Sequence, residues 1–240
     1  MTAVASTRTG RRSREELEPL ARSAARELRG AAAEEVVAWA TDEFAGRLAV
    51  ASSMSNTVLP HLVAQSLPGV DVLFLETGYH FEETLATRDA AAAALPITVV
   101  DVRPELTVAE QDERFGPRLH DRDPEACCRM RKVEPLAEQL SGYEAWVTGM
   151  RRDEAATRLG TPHVTWDERQ GLVKVNPLAE WTADDLMTYA LRYDLPFNPL
   201  LSQGYPSIGC APCTQRVEPG LDARSGRWPG WGKTECGIHR

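Results

Sequence analysis

The sequence predicts an α/β fold, a parallel β-sheet with helices on both faces, ending in a Gly-rich C-terminal tail. Three observations carry this expectation. Short apolar runs alternate with segments of helical pattern, as expected when parallel strands are joined by crossover helices. The 240 residues, 42% of them hydrophobic, suffice for one substantial core. Regular patterning stops near Leu195, beyond which Pro and Gly become frequent.

Taken in order, Met1–Arg14 is rich in Ser, Thr and Arg, has no apolar h-region, and reads as a disordered leader. Two Ala/Glu-rich helices follow, around Arg14–Arg29 and Ala32–Phe44. Candidate strands are Arg47–Ser52, Asp71–Leu75, Ile97–Asp101, Ala145–Gly149 and Leu172–Asn176. Between them lie helical segments near Thr57–Ser66, Glu82–Ala94, Arg129–Leu140 and Thr182–Arg192, and the alanines at Ala90–Ala94 are helix-favouring. Open α/β sheets bind ligands at the C-terminal ends of their strands, so the polar segments after the strands are where a site is expected.

No stretch approaches the ~20 apolar residues of a membrane span, and the chain is expected in the cytoplasm. Structural disulfides are disfavoured there, so five cysteines with a vicinal pair and a C-x-x-C point to metal or redox use. Cys127, Cys128, Cys210 and Cys213 read as one metal-type site, with Cys236 left free for chemistry. The net charge of −8 argues against nucleic-acid binding. Cations nevertheless gather in the second half, among them Lys132, Arg151, Arg152, Arg158, Arg224, Arg227 and Lys233, which fits a local anion pocket on an acidic protein. Any one of them alone reads more readily as a solvated surface residue.

Five segments carry the chemistry. Ala51-Ser-Ser-Met-Ser-Asn-Thr57 leads from a strand into a helix and can offer hydroxyls and N–H groups to an anion, although it also serves as ordinary capping. It lacks the glycines of a dinucleotide loop and the Gly-Lys of a P-loop. In Phe74–Thr84, Gly78 permits a tight turn while Glu76 and Thr77 can meet a ring or ribose; the plainer reading is a βα turn with a satisfied His80. Cys127-Cys-Arg-Met-Arg-Lys132 places two thiols beside cations, and with Cys210-Ala-Pro-Cys213 makes the ligand count of a [4Fe–4S] cluster or a structural zinc. Adjacent ligands without a spacer favour iron–sulfur. Thr148–Arg158 puts paired arginines at a strand mouth, suited to phosphate or sulfate oxygens or else to ion pairs with Asp153 and Glu154. Finally, Arg224–His239 carries Cys236 on a Gly-rich segment beside Lys233 and His239, which would favour its thiolate.

Together these segments, from about Ala49 to His239, resemble the assimilatory sulfonucleotide reductases, specifically the iron–sulfur adenylyl-sulfate (APS) reductases of bacteria. The most specific parts are the Cys-Cys plus Cys-x-x-Cys set and the ending Lys-Thr-Glu-Cys-Gly-Ile-His. The resemblance implies an adenine-nucleotide α-hydrolase-like (PP-loop) sheet, with the loop at Ser52–Thr57 lacking both usual glycines and bearing Asn56 in place of an acidic residue. Two further departures are Glu76 where the family has Asp and Ile238 where it has Leu. It divides the chain into a leader (1–14), a nucleotide-binding domain (15–209) and a cluster-ligand loop with a mobile catalytic tail (210–240).

By the same resemblance Cys236 attacks the sulfur of APS, AMP leaves, and an S-sulfocysteine forms. Reduced thioredoxin or glutaredoxin then releases sulfite. Lys132 would lie between a [4Fe–4S] cluster on the four cysteines and the substrate, while Arg224, Arg227 and His239 contact the phosphosulfate. Ser52, Ser53, Ser55, Glu76, Thr77, Gly78 and Arg152 would line the nucleotide pocket. A homo-oligomer without membrane or nucleic-acid partners is implied, in sulfate assimilation leading to cysteine biosynthesis. Alternatives are a reductase of 3′-phosphoadenylyl sulfate (PAPS) or of both nucleotides, a non-catalytic zinc-stapled nucleotide-binding protein, and a sulfur-transferring tRNA-modifying enzyme disfavoured by the degenerate loop and acidic charge.

Overall fold

The computed structural model describes residues 10–233 and 235–239. Its strands are β1 (Leu48–Ala51), β2 (Val70–Leu75), β3 (Ile97–Val102), β4 (Ala145–Thr148), β5 (Val164–Asp167) and β6 (Leu172–Val175). They form one sheet in the order β3-β2-β1-β4-β6-β5. The five expected strands all form and pair in parallel, so the C-terminal ends of β1, β2 and β4 share one sheet edge.

The sheet is mixed, because the unanticipated β5 pairs antiparallel with β6 at the edge. A short turn makes this hairpin. The Asp167 carboxylate accepts hydrogen bonds from the N–H groups of Arg169 and Gln170, and Gly171 takes the positive φ of 62° that closes it.

The helices are α1 (Arg14–Glu27), α2 (Ala33–Phe44), α3 (Val58–Ser66), α4 (Glu82–Ala94), α5 (Val108–Phe115), α6 (Leu119–Arg122), α7 (Pro124–Cys128), α8 (Glu134–Leu140) and α9 (Ala183–Arg192). The expected Arg129–Leu140 helix begins as a π-helical stretch, Arg129–Val133, joining α7 to α8. Helices α5 to α7 were not anticipated. They are short, and the sole residue of α5 to be buried is Gln111.

Strand alternation sorts the core into two faces. Leu48, Val50, Val72, Phe74, Val147 and Val173 bury against α1, α2, α3 and α9. Ala49, Leu73, Trp146 and Leu172 point the other way, against Leu136 and Leu140 of α8. Helices therefore cover both faces, and each fully buried large apolar side chain contributes about 1.5–3 kcal/mol. Of the predicted leader, residues 1–9 lie outside the described residues. Arg12 is fastened to Glu43 and to Glu144, the latter at 2.7 Å, and Ser13 occupies the N-cap of α1. Among the described residues no helix is long and apolar enough to cross a membrane.

Candidate active site

A cleft of about 410 Å³ opens at the C-terminal ends of β1, β2 and β4. Its floor begins with the loop after β1. There the Met54 N–H donates to Ser52 Oγ at 3.2 Å, and the Asn56 side chain accepts from the Val58 N–H at 3.2 Å, capping the start of α3. Met54 is buried with φ at 54°, and Asn198 donates to its carbonyl, so a distant segment holds this strained turn in place. Ser52, Ser53 and Ser55 all face the cleft, with apolar walls from Leu59, Leu186 and Phe197. Such a mixture of hydroxyls and apolar surface suits a nucleoside.

Cations occupy the rest of the wall: Lys132, Arg151, Arg158, Arg224 and Arg227. Arg227 is buried, and its Nε lacks a hydrogen-bond partner among the described residues. Its guanidinium runs so close to Gly209 that a Cβ there would meet Nη2 at 2.1 Å. Trp228 collects three cations around its ring, with Arg227 at 4.6 Å, Lys233 at 5.3 Å and Arg224 at 5.8 Å. Glu154 shares this wall and pairs with Arg151 and Arg158, but cations outnumber carboxylates there, an excess that favours an anion.

Several expected residues stand elsewhere. Arg152 turns outward, donating to the Thr161 carbonyl at 2.9 Å and pairing with Glu180 at 2.7 Å, and its neighbour Arg151 lines the cleft instead. Glu76, Thr77 and Gly78 also lie off the cleft wall. Glu76 accepts from the Gly78 N–H at 2.9 Å and lies 3.5 Å from Arg88. Thr77 is buried towards the cysteines, with Oγ1 at 3.3 Å from Cys210 Sγ and its carbonyl receiving Arg131 Nε. Gly78 has φ at 74°, and a Cβ there would come within 2.8 Å of Val108.

The four cysteines come together. Cys127 and Cys128 end α7, whose start is fixed by Pro124 and the Asp123 side chain, while Cys210 and Cys213 flank a tight 3-10 turn. All four line one small void with Tyr79, Arg131, Lys132 and Trp228, and none is in a disulfide. Burial and the neighbouring sulfurs push Cys127 up to about 12 and Cys213 up to about 11. Among the described residues no group of three or more His, Cys, Asp or Glu side chains is arranged to hold a metal ion.

Lys132 and Trp228 line both the void and the cleft. Burial works against the Lys132 charge, but the sulfurs of Cys210, Cys236 and Cys128 overcome it and hold the ammonium above its usual range. Cys236 faces the cleft at 8% exposure and packs with Cys128 and Trp228. A hydrogen bond from Cys128 holds its thiol well below the ordinary range against burial, helped by the charges of Lys132 and Arg227.

The described tail is docked. Arg158 donates to both carboxylate oxygens of Glu235 at 2.7 Å, Arg224 reaches Glu235 at 3.2 Å, and Arg169 donates to the Gly237 carbonyl at 2.6 Å. His239 stacks on Trp146 with centroids 5.8 Å apart, and its Nδ1 lies 3.3 Å from Lys174 Nζ. Sequence reasoning gave no role to Glu235, Lys174 or Trp146. Glu235 and Arg158 are 77 positions apart, and no local pattern links them.

The profile of the phosphoadenosine phosphosulfate reductase domain matches residues 47–216. An adenosine 5′-phosphosulfate reductase of Streptomyces coelicolor is 54% identical over 239 residues, covering 100% of both chains. One from Mycolicibacterium smegmatis is 55% identical, covering 93% of this chain and 95% of the relative. The crystal structure of phosphoadenylyl-sulfate (PAPS) reductase from Candida auris superposes with a TM-score of 0.67 at 26% identity, covering 82% of this chain and 96% of that one. An FMN adenylyltransferase of Candida glabrata, at a TM-score of 0.55 and 10% identity over 90% of this chain and 69% of its own, shares the fold.

Proposed function

This chain belongs to the phosphoadenosine phosphosulfate reductase domain family and is an oxidoreductase that reduces APS in assimilatory sulfate reduction; we propose that Cys236 is its nucleophile. The observation that carries this reading is the Cys236 thiol standing in one cleft with Lys132, Arg224 and Arg227, beyond the serine loop of β1.

In the proposed reaction the nucleoside lies against Leu59, Leu186 and Phe197, with Ser52, Ser53 and Ser55 at its polar groups. Arg224, Arg227 and His239 hold the phosphosulfate. The Cys236 thiolate attacks the sulfur, an S–S bond forms, and the S–O bond breaks with its electron pair passing to AMP. The phosphate of AMP accepts that charge readily, so no general acid is needed. A reduced dithiol, thioredoxin or glutaredoxin, then attacks Cys236 Sγ; sulfite leaves, and the donor's second thiol closes its own disulfide. Free thiols on enzyme and donor suit the cytoplasm. A homo-oligomer is also proposed.

Cys127, Cys128, Cys210 and Cys213 would hold a [4Fe–4S] cluster: the four line one void with no disulfide among them, and cluster ligands bind separate irons rather than one shared ion. Cys128 would then no longer donate to Cys236, leaving Lys132 and Arg227 to favour that thiolate. When bound, such a cluster would take the four cysteines as thiolates and supply a fixed charge distribution beside the cleft. Lys132, lining both void and cleft, would place its ammonium between the cysteines and the substrate sulfate.

Intact mass measured after incubation with APS and no reductant tests the reading. A sulfonate-sized gain is expected on the native protein and absent from Cys236→Ser; active protein with no adduct would sink the mechanism. PAPS, assayed beside APS, reports whether the cleft also takes the extra phosphate.

A further inference from the structure

Lys174 lies in the middle of a strand that is buried along its whole length, and is itself 7% exposed. Its parity with Leu172 turns it to the face opposite Val173 and Val175, and its register partner on β4 is Trp146. The ammonium sits 5.1 Å from the centroid of the Trp146 ring. Burying a lysine is costly unless its charge is met. Asp167 and Glu235 face it as carboxylates and Arg158 as a like charge, and it lies 3.3 Å from His239 Nδ1.

Burial lowers the Lys174 pKa against the pull of Asp167 and Glu235, and while the side chain remains an ammonium this contact has only one polarity. An ammonium carries three donors and no acceptor, so the imidazole Nδ1 must accept and the ring proton must sit on Nε2. Burial, with the charges of Lys174, Arg158 and Arg224, holds His239 well below its usual range and so neutral. Trp146, stacked 15° from coplanar with the imidazole, fixes the ring plane. The ring itself lines the cleft.

We propose that Lys174 is a positioning residue: together with Trp146 it locks His239 as the neutral Nε2–H tautomer, aimed as a directional hydrogen-bond donor at the anionic substrate in the cleft. The inference rests on the cleft being the APS site. Arginines there supply charge, and His239 supplies direction.

Long-range proton–nitrogen spectra of the holoenzyme labelled with ¹⁵N-histidine, with His239 assigned by its loss in His239→Asn, read the tautomer directly. A proton on Nε2 is expected; a proton on Nδ1, or on both nitrogens, overturns the proposal. In Lys174→Met, kcat for APS should fall about tenfold with KM for APS little changed, as expected when one hydrogen bond of about 1–1.5 kcal/mol is lost in the transition state. The tautomers should then mix, and Lys174→Arg should recover most of kcat. Wild-type kcat in Lys174→Met also overturns it. Should that variant not fold, the wild-type spectrum still decides. Failure of the Cys236 mechanism would show instead as a missing sulfonate adduct on a protein whose tautomer is unchanged.

Discussion

Arg158 grips Glu235 with two parallel hydrogen bonds of 2.7 Å, joining a 3-10 turn beyond β4 to the residue immediately before Cys236. Both residues are buried. The grip places Cys236 over the cleft, and it is the natural latch for a tail that must later expose a sulfonated thiol to a dithiol partner.

Breaking the latch at Glu235 removes two charge-assisted hydrogen bonds and leaves Arg158 paired with Glu154 alone, at about 1.5–3 kcal/mol for each contact to a charged group. Glu235→Gln should therefore undock the tail, speed hydrogen exchange through Gly237, and lower kcat/KM at least tenfold while the sheet stays intact.

The same pair sets an acid limit. Arg158 and Arg224 hold the Glu235 carboxyl below its ordinary value of 4.5, against the effect of burial. A depressed pKa contributes docking stability that is full above the unfolded value and is lost as pH falls through the lower folded one. Tail protection, followed by hydrogen exchange, should hold down to about pH 4.5 and fade below it; in Glu235→Gln that acid-dependent step should disappear.

Gly209 gives Arg227 its path, since a Cβ would lie 2.1 Å from Nη2. The guanidinium end can swing aside, so Gly209→Ala should fold normally yet misplace the charge. Loss of a charge-assisted contact of about 1.5–3 kcal/mol predicts a rise in KM for APS of roughly tenfold to a hundredfold. Gly232→Ala, with open space around it, should leave steady-state kinetics unchanged.

Gly78 tests the cysteine side. Its φ of 74° and the 2.8 Å approach of Val108 make any side chain strained. Gly78→Ala should lower Tm by several degrees and loosen the Arg131 contact with the Thr77 carbonyl. Iron content per chain, measured on purified protein, should fall with it.

Removing iron should act locally. Chelation under air is expected to bleach the visible absorbance and raise hydrogen exchange across Cys127–Lys132 and Cys210–Thr214, with the strands still protected. Equal exchange in holo and iron-free protein would argue that these four thiols hold no cluster.

Much of the fold was legible because strand and helix patterns are local. Strands β1, β2, β3, β4 and β6 follow from short apolar runs, and helix α4 begins and ends where its pattern does. The edge strand β5 was hidden, since Val164-Thr-Trp-Asp167 is brief and its signal, Gly171, lies after it. The cysteines were equally legible: their spacing and their odd member need no coordinates to notice.

By itself the sequence determined five of the six strands, set Cys236 apart from the other four cysteines and pointed to a gathering of cations in the second half of the chain. Tertiary structure alone decided which cations serve that site, turning Arg151 inward and Arg152 out to Glu180. It also bound Glu235 to Arg158 and set His239 between Trp146 and Lys174. The reason is physical. Hydrophobic periodicity is written into neighbouring residues, whereas ion pairs and ring stacking depend on distances between segments that meet only after the sheet has closed and the tail has folded across its second face.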